Sequence, residues 1–345
     1  MDYIKIVHGA GARESWEIIE KLIVSKVPYS LRKAMDGYGI DVLDDGAVLK
    51  LEENKYLVVS VDSFTVNPIF FPGGDIGHLA ISGTINDLVV MGAKPIAFMD
   101  TIVVEEGFPY SDLEKIVDSI MNIIIEENIS LIGGDFKVMP RGTLDKILIT
   151  GVGFGISKKP IVDKNIKEGD KIIVTGPIAE HGAAILAAQL GLLDNVKGIR
   201  SDSRPLTKTV YPVIEKYIEH IHAARDPTRG GLSSTLNEWV LGTEYMIVID
   251  RSRIPVREEV REFLDAMGVD PLSMACEGIA VLAVDPLVAD DVVKELRARG
   301  EKYAEIIGEV KKPSNNIMRG RVIAVTEIGG KVVIEPKSIN LPRIC

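Results

Sequence analysis

The first half of the chain alternates between the apolar spacing of buried strands and that of helices. Residues 56–62 form an apolar run that ends in a carboxylate, and residues 94–104 form a similar run. Between them, residues 75–91 open with Gly-Asp, carry apolar side chains at helical spacing and stop at a glycine. The pattern therefore predicts a strand, a helix and a strand, with Asn86 and Asp87 inside the helix.

The same patterns continue along the chain. A further helix is predicted at 111–128, beginning at a Ser-Asp cap, followed by strands at 131–135 and 147–155. In the second half we predict helices at 179–191, 206–219, 231–241, 256–267 and 287–299, and strands at 245–250, 278–284, 303–310 and 321–335. The alternation is typical of mixed α/β domains.

A polar, lysine-rich stretch at 156–170 separates the two halves. The length of 345 residues suits two domains, each with its own core. We expect four parts: an N-terminal segment with a glycine-rich lid (1–43), an N-terminal domain (44–156), a C-terminal domain (165–335) and a flexible tail (336–345).

The charge balance restricts the binding partners. Fifty acidic and 40 basic residues give a net charge of −10, which disfavours binding to nucleic acid or to anionic lipid. A polyphosphate would bind such a chain through metal ions. No apolar run approaches the roughly 20 residues that span a bilayer, and the N-terminus lacks a signal-peptide core, so we expect a soluble cytoplasmic protein.

Five carboxylates occupy predicted turns, strand ends or the interior of a helix: Asp44, Asp45, Asp62, Asp87 and Asp135. Oxygen ligands of this kind suit Mg²⁺, which binds through a few carboxylates and substrate phosphates. The alternative is that they are ordinary cap and turn aspartates.

Glycine-rich segments at 8–12, 71–75 and 133–135 could present backbone N–H groups to phosphate, or could simply be turns. The segment 225–231 precedes an apolar helix, which Asp226 or Thr228 could cap. Its arginines could contact phosphate there or lie exposed on the surface.

Two charged side chains could act on an amide in a cleft, or could be solvated surface charges: Lys137 and Glu277. The chain has only two cysteines, too few for a disulfide framework, and one of them, Cys345, is its last residue. A terminal thiol of ordinary pKa would be only weakly ionised, and Arg343 is the nearest cation in sequence that could offset the adjacent carboxylate.

Taken together, these motifs resemble the HypE family of hydrogenase maturation proteins nearly from end to end. The resemblance rests on HGAGA (8–12), DDGA (44–47), FFPGGDIG (70–77), GTINDLVVMGA (83–93), GGDFKV (133–138), ARDPTRGGL (224–232), CEG (276–278) and PRIC (342–345). The part up to residue 240 also resembles aminoimidazole ribonucleotide synthase, thiamine-monophosphate kinase and selenophosphate synthetase, so the terminal PRIC is the discriminating element.

The resemblance implies an ATP-dependent carbamoyl dehydratase. In that family the terminal cysteine receives a carbamoyl group from the transferase HypF, and ATP then drives dehydration of the thiocarboxamide to a thiocyanate. The product supplies cyanide for the iron centre of [NiFe]-hydrogenase, assembled on the HypC–HypD complex. The implied fold is a two-domain α/β fold like that of aminoimidazole ribonucleotide synthase. Its N-terminal domain forms a barrel-like dimer core, so a homodimer is expected.

The resemblance also implies roles for individual residues. Cys345 would be the acceptor, with Lys137 and Glu277 binding and deprotonating the carboxamide. The implied Mg²⁺ ligands are Asp44, Asp45, Asp62, Asp87 and Asp135. The implied ATP contacts are His8, Gly9, Gly11, Asp44, Asp62, Asn86, Asp87, Gly133, Gly134, Asp135, Asp226 and Arg229. Two alternatives stay open, namely another kinase or cyclase of the same superfamily and a non-catalytic carrier of Cys345.

Overall fold

The protein is described from a computed structural model that covers residues 3–11, 13–194, 196–336 and 343–345. Its α-helices are α1 (Arg13–Leu22), α2 (Ile76–Val90), α3 (Tyr110–Glu127), α4 (Glu180–Gln189), α5 (Tyr211–Lys216), α6 (Gly231–Val240), α7 (Glu258–Met267) and α8 (Ala289–Ala298). Its strands are β1 (Ala47–Glu52), β2 (Lys55–Phe64), β3 (Phe70–Phe71), β4 (Gly74–Asp75), β5 (Lys94–Glu105), β6 (Ser130–Met139), β7 (Ile147–Ser157), β8 (Lys171–Val174), β9 (Ile221–Arg225), β10 (Met246–Asp250), β11 (Val281–Val284), β12 (Glu305–Lys311), β13 (Val322–Val325) and β14 (Lys331–Ile334).

The N-terminal sheet has the strand order β1-β2-β7-β5-β6, and only the pairing of β5 with β6 is parallel. Side chains alternate between its faces, so that Val58, Ser60 and Phe64 of β2 are buried while Val61 is exposed. Helix α2 packs closely on the buried face because β7 presents glycines there. A Cβ atom on Gly151 would lie 2.2 Å from the Thr84 hydroxyl.

Helix α2 is buried on all sides, which explains why its apolar residues do not form a single stripe. Asp75 caps its first turn by accepting bonds from the backbone N–H groups of Gly77 and His78, as the Gly-Asp start predicted. Gly92 follows the helix with a φ of 71°, a left-handed conformation that suits glycine. Asp87 is thereby carried into the interior on a rigid element.

The C-terminal sheet has the order β14-β13-β10-β12-β8-β11-β9, and both of its faces are covered. Residues of α4, α6 and α7 pack on one face, and residues of α5 and α8 pack on the other. Val89 and Val90 at the end of α2 join the second of these cores, so this central helix contacts both domains.

Some elements differ from the sequence-based predictions. Strands β1 and β9 and helix α1 were not predicted, and the helix predicted at 206–219 is limited to α5. The strand predicted at 321–335 is a hairpin, because the chain turns between β13 and β14. The predicted cap of α6 by Asp226 or Thr228 is wrong, since Gly230 holds that position with a φ of 81° and no side-chain cap. Helix α3 likewise begins after Pro109, without a Ser-Asp cap.

Among the described residues, no helix combines the length and the apolar character that crossing a bilayer requires.

The cap of α2 predicts a local dependence of stability on one carboxylate. Asp75→Ala removes the two backbone bonds of the cap and the bond from Ser119, so the free energy of unfolding should fall by about 1–2 kcal/mol. Urea unfolding measures this change. The matched control is Asp118→Ala on the exposed side of α3, which should change stability by less than about 0.5 kcal/mol. Equal losses in both variants would contradict the role of the cap.

Candidate active site

Three aspartates from distant parts of the sequence meet between the two domains. Asp45 lies in the loop before β1, Asp87 in the last turns of α2 and Asp226 directly after β9. One carboxylate oxygen from each lies within 4.8 Å of the other two. Of the five predicted metal ligands, the structure therefore brings Asp45 and Asp87 together and adds Asp226, which the sequence indicated as a helix cap or a nucleotide contact but not as a metal ligand.

Burial and mutual repulsion dominate the electrostatics of this group. The pKa values of Asp45 and Asp87 are raised well above the ordinary value, first by burial and then by neighbouring carboxylates that include Asp226. The pKa of Asp226 is raised to about 7, again by burial and then by Asp62. Asp45 Oδ2 and Asp226 Oδ2 are buried and have no hydrogen-bond partner among the described residues. The arrangement favours a bound cation, because a cation would offset the repulsion that raises these pKa values.

Asp62 of β2 is electrostatically part of this group. Its pKa is raised by burial, while Arg229 lowers it. Asp87 is fixed by the hydroxyl of Ser60, two residues before Asp62 on the same face of β2. The strand and helix predicted from the sequence thus supply two carboxylates to one side of the cleft.

Asp44 has a different position. Its carboxylate accepts bonds from the backbone N–H groups of Asp45 and Asp163, at 3.0 Å each, and so ties the loop before β1 to the segment between the domains. Asp45, and not Asp44, belongs to the group of three.

Arg225 is a buried cation. The sequence left open whether it contacts phosphate or lies exposed on the surface. It lies 3.4 Å from Asp44, 3.0 Å from Asp45 and 3.1 Å from Asp163, and it also pairs with Glu238. These partners come from both domains and from the segment between them. Arg225 therefore fixes Asp45 against the C-terminal domain.

Glu277 is held beside the aspartates by its backbone. The N–H groups of Glu277 and Gly278 donate to Asp202, and the carbonyl of Glu277 accepts from the Asn86 amide at 3.2 Å. Residue 278 must be glycine, because a Cβ there would lie 1.8 Å from the Asp202 carbonyl oxygen. Asn86 uses both amide N–H groups on backbone carbonyls, those of Arg204 and Glu277, so it joins the domains here.

The side chain of Glu277 is almost completely buried, and within the described part of the chain its Oε1 has no hydrogen-bond partner. Burial, followed by the charges of Asp226, Asp202 and Asp62, raises its pKa well above the ordinary value, while Arg229 lowers it. A carboxyl group of this kind holds its proton to higher pH than a surface glutamate does, and its carboxylate is a stronger base. Asp202, which the sequence analysis did not single out, positions it.

The end of the chain lies in the same cleft. Cys345 is half-buried, and an oxygen of its terminal carboxylate accepts a 3.0 Å bond from the N–H of Thr65. Burial raises the pKa of its thiol to about 12, partly offset by Arg229 and increased further by Glu277. The compensating cation is therefore Arg229. The expectation that Arg343 would serve is wrong, because Arg343 pairs with Asp145. The predicted tail residues 337–342 lie outside the described residues.

The N-terminal glycine segment closes one side of a cavity of about 100 Å³ that contains Cys345. Gly9 and Arg229 line this cavity. Gly11 touches the same region, since a Cβ there would lie 2.4 Å from the Cβ of Arg229. His8 accepts a local bond from the N–H of Lys5 and does not extend toward the carboxylates. The segment thus covers the end of the chain.

Four predicted site residues lie elsewhere, on the edge strand β6: Gly133, Gly134, Asp135 and Lys137. Lys137 pairs with Asp135 on the same strand, and both side chains are more than half exposed. Three strand spacings, about 14 Å, separate β6 from β2 in the sheet order. Within this single chain, Asp135 and Lys137 are not brought to the group formed by Asp45, Asp87 and Asp226.

Comparison with known proteins agrees with this architecture. Residues 43–157 match the family described as AIR synthase related protein, N-terminal domain, and residues 167–320 match its C-terminal domain. Carbamoyl dehydratase HypE of Cupriavidus necator is 35% identical over 99% of this chain and 95% of its own length.

Two solved structures are similar over the whole length. A HypE in complex with ATP has a TM-score of 0.80 and 34% identity, with 99% of this chain and 100% of that chain covered. A HypE–HypF complex has a TM-score of 0.81 and 34% identity, with 92% of this chain and 99% of that chain covered. The two-domain fold expected from the sequence is confirmed.

The raised pKa values predict a pH dependence of stability in metal-free protein. The folded state keeps a proton on Asp226 up to about pH 7, whereas an unfolded aspartate of ordinary pKa 3.8 loses it, so stability should fall as the pH rises from about 4 to about 7. Asp226→Asn has no carboxyl group to ionise, so it removes this loss of stability. It should stabilise the protein by about 1–3 kcal/mol at pH 8 but hardly at pH 4.

Urea unfolding with EDTA at the two pH values checks this expectation. Asp118→Asn, an exposed change of the same kind on α3, is the control and should leave the difference between the two pH values as in the parent protein. An equal pH dependence in Asp226→Asn and in the control would contradict the assignment.

Proposed function

The chain belongs to the AIR synthase related family and, within it, to the HypE carbamoyl dehydratases, and we propose that the group it dehydrates is an S-carboxamide on its own Cys345. It is an ATP-dependent enzyme of hydrogenase maturation. The observation that carries the proposal is the position of Cys345 itself, enclosed with Arg229 and subject to the charges of Glu277, Asp62 and Asp226.

The site fits ATP with Mg²⁺. Asp45, Asp87 and Asp226 offer oxygen ligands at a spacing suited to one cation, and Asp62 adjoins them. Magnesium bound there would neutralise part of the carboxylate charge and let the nucleotide phosphates approach. Arg229 and the glycine segment with Gly9 and Gly11 lie where they could contact phosphate.

ATP supplies the phosphoryl group that makes the carboxamide oxygen a leaving group, so that R–S–C(=O)NH₂ becomes R–S–C≡N with release of ADP and inorganic phosphate. Both protons of the amide nitrogen must be removed, and Glu277 is the proposed base. Asp226 and Asp62 raise the pKa of Glu277, and a cation on these aspartates would therefore bring its carboxylate closer to ionisation. Arg229 would bind the departing phosphate.

Two further steps need partners. A carbamoyl group must reach Cys345, and a similar HypE has been solved in complex with HypF, so we propose that HypF is the donor to this chain. The thiocyanate carbon must then pass to iron as cyanide, and the HypC–HypD complex is the proposed acceptor.

The exposed edge strand β6 supports a homodimer. All but one of its ten residues are exposed, including the apolar side chains of Leu131, Ile132, Phe136 and Val138. An uncovered apolar edge strand invites pairing with another strand, and a second copy would cover it. We propose that this dimer also carries Lys137 and Asp135 to the site of the other subunit, since they lie about 14 Å from β2 within one chain.

The dehydration is tested by intact mass spectrometry of protein carbamoylated at Cys345. With Mg-ATP the mass should fall by one water, and without Mg-ATP it should not change. Asp87→Asn should keep the carbamoyl group and lose the mass change, because it removes a ligand of the proposed cation. Cys345→Ala should accept no carbamoyl group and still bind ATP.

Two results would contradict the proposal. Carbamoylated protein that binds Mg-ATP but keeps its mass would favour the non-catalytic carrier, and transfer of phosphate to an added small molecule would favour a kinase of the same fold.

The dimer is tested by mixing two inactive variants. In a heterodimer of Lys137→Ala with Glu277→Gln, one site keeps Glu277 and receives Lys137 from the other subunit. In the heterodimer the Cys345 that lies beside the intact Glu277, which is half of all its Cys345, should then be dehydrated at the rate of the parent, whereas each homodimeric variant should be at least tenfold slower. If Lys137 acts within its own subunit, the heterodimer stays inactive. Protein that remains monomeric at micromolar concentration would also contradict the proposal.

A further inference from the structure

The last residues of the chain are bound through their backbone. The backbone N–H of Thr65 donates to the terminal carboxylate of Cys345 and that of Asn67 donates to the Arg343 carbonyl, both at 3.0 Å. Residues 65–67 follow directly on β2, so these two bonds hold the end of the chain beside the strand that carries Asp62. Hydrogen bonds of this kind fix the main chain of a bound segment whatever its side chains are.

The middle residue of the segment is bound by a buried histidine. His181, at the start of α4, has no solvent exposure, and its Nε2 lies 2.7 Å from the carbonyl oxygen of Ile344. A carbonyl only accepts, so Nε2 must carry the proton. Nδ1 must then accept from the hydroxyl of Ser201, 2.7 Å away, which itself accepts from the N–H of Ser203 at 3.0 Å.

The environment keeps this histidine in its neutral form. Burial lowers the pKa of His181 to about 4, and the ring of Phe71 packs edge-on against it at 5.5 Å between centroids. The histidine therefore offers a fixed N–H group across the whole range of physiological pH. Its partner Ser201 is itself tied to the N-terminal domain, since its N–H donates to the carbonyl of Pro72 at 2.7 Å.

The first residue of the segment is bound through its charge. The guanidinium of Arg343 pairs with Asp145, which precedes β7, and its Nε donates to the carbonyl of Thr65. Ile344 packs against the apolar core of the N-terminal domain, as does Cys345. The backbone of the segment, the charge of Arg343 and the apolar side chain of Ile344 are thus each bound by a different part of the protein.

We propose that Thr65–Asn67, Asp145 and His181 form a docking groove that recognises the Arg-Ile-Cys end of the chain and holds the sulfur of Cys345 beside Arg229. This inference rests on the proposed function for its purpose, since it makes Asp145 and His181 positioning residues for the dehydration. The binding itself can be measured without any turnover. A purely apolar docking of Ile344 would not depend on either residue.

The test is the rate at which iodoacetamide alkylates Cys345 in unmodified full-length protein, followed by peptide mass. His181→Phe keeps a ring but loses the N–H donor, and it should speed alkylation roughly fivefold, the effect of one hydrogen bond. His181→Gln offers an amide N–H to the same carbonyl and should stay near the parent rate. Cys276, which is completely buried, should stay unreactive in every variant and so reports an intact fold.

The charge pair is tested by reversal. Asp145→Arg and Arg343→Glu should each speed alkylation of Cys345 about twofold to fivefold, and the double variant should return toward the parent rate. Arg343 lies at the end of the chain, so its replacement does not disturb the core. Lys158→Glu, an exposed charge change at the opposite end of β7, is the matched control and should have no effect.

The groove is contradicted if His181→Phe and Arg343→Glu alkylate at the parent rate, or if the double reversal is as fast as the faster single variant. The outcome is separable from the proposed dehydration. If the variants alkylate at the parent rate while the carbamoylated parent protein still loses water, only the groove is overturned. If the variants alkylate faster as expected while the carbamoylated parent protein never loses water, the function is overturned and the groove is supported.

Discussion

The structure depends on an excess of negative charge that is enclosed between two domains. One carboxylate oxygen from each of Asp45, Asp87 and Asp226 lies within 4.8 Å of the other two. Asp62 raises the pKa of Asp87, and Asp226 and Asp62 raise that of Glu277. Carboxylates removed from water at this density are costly unless cations or protons accompany them. Burial and mutual repulsion are why the pKa values of these carboxylates are raised. A divalent cation that carries a nucleotide would offset the same repulsion.

Arg225 and Arg229 interact with different carboxylates of this cleft. Arg225 is enclosed among Asp44, Asp45, Asp163 and Glu238, and so stabilises the junction of the domains rather than the reaction. Arg229, four residues later, lies at the cavity with Cys345 and is the cation that acts on both Glu277 and the thiol. Arg225 therefore has a structural role, whereas Arg229 is available to bind ligands.

Local patterns predicted the elements that carry the site but not the way they meet. The helix with Asp87 and the strand with Asp62 followed from apolar spacing, because both are long and rich in apolar residues. The local pattern left Asp226 as a possible helix cap, and the resemblance made it a nucleotide contact. Its carboxylate lies beside those of Asp45 and Asp87, a contact between distant residues that no local pattern encodes. Arg225 is buried only because the domain junction supplies four carboxylates. Lys137 and Asp135 lie on an edge strand whose surroundings one chain does not contain.

The state of the sulfur follows from the same electrostatics. A thiol whose pKa is raised to about 12 is protonated in the docked position and is a poor nucleophile there. An S-carboxamide is uncharged, so the same position does not penalise it by removing a charge from water. The cleft thus disfavours the reactive thiolate and tolerates the product of carbamoylation. This favours an order in which Cys345 is modified while undocked and is dehydrated once it is docked. The groove of Thr65–Asn67, Asp145 and His181 can support such an order because it binds the backbone and Arg343, leaving the sulfur free to change.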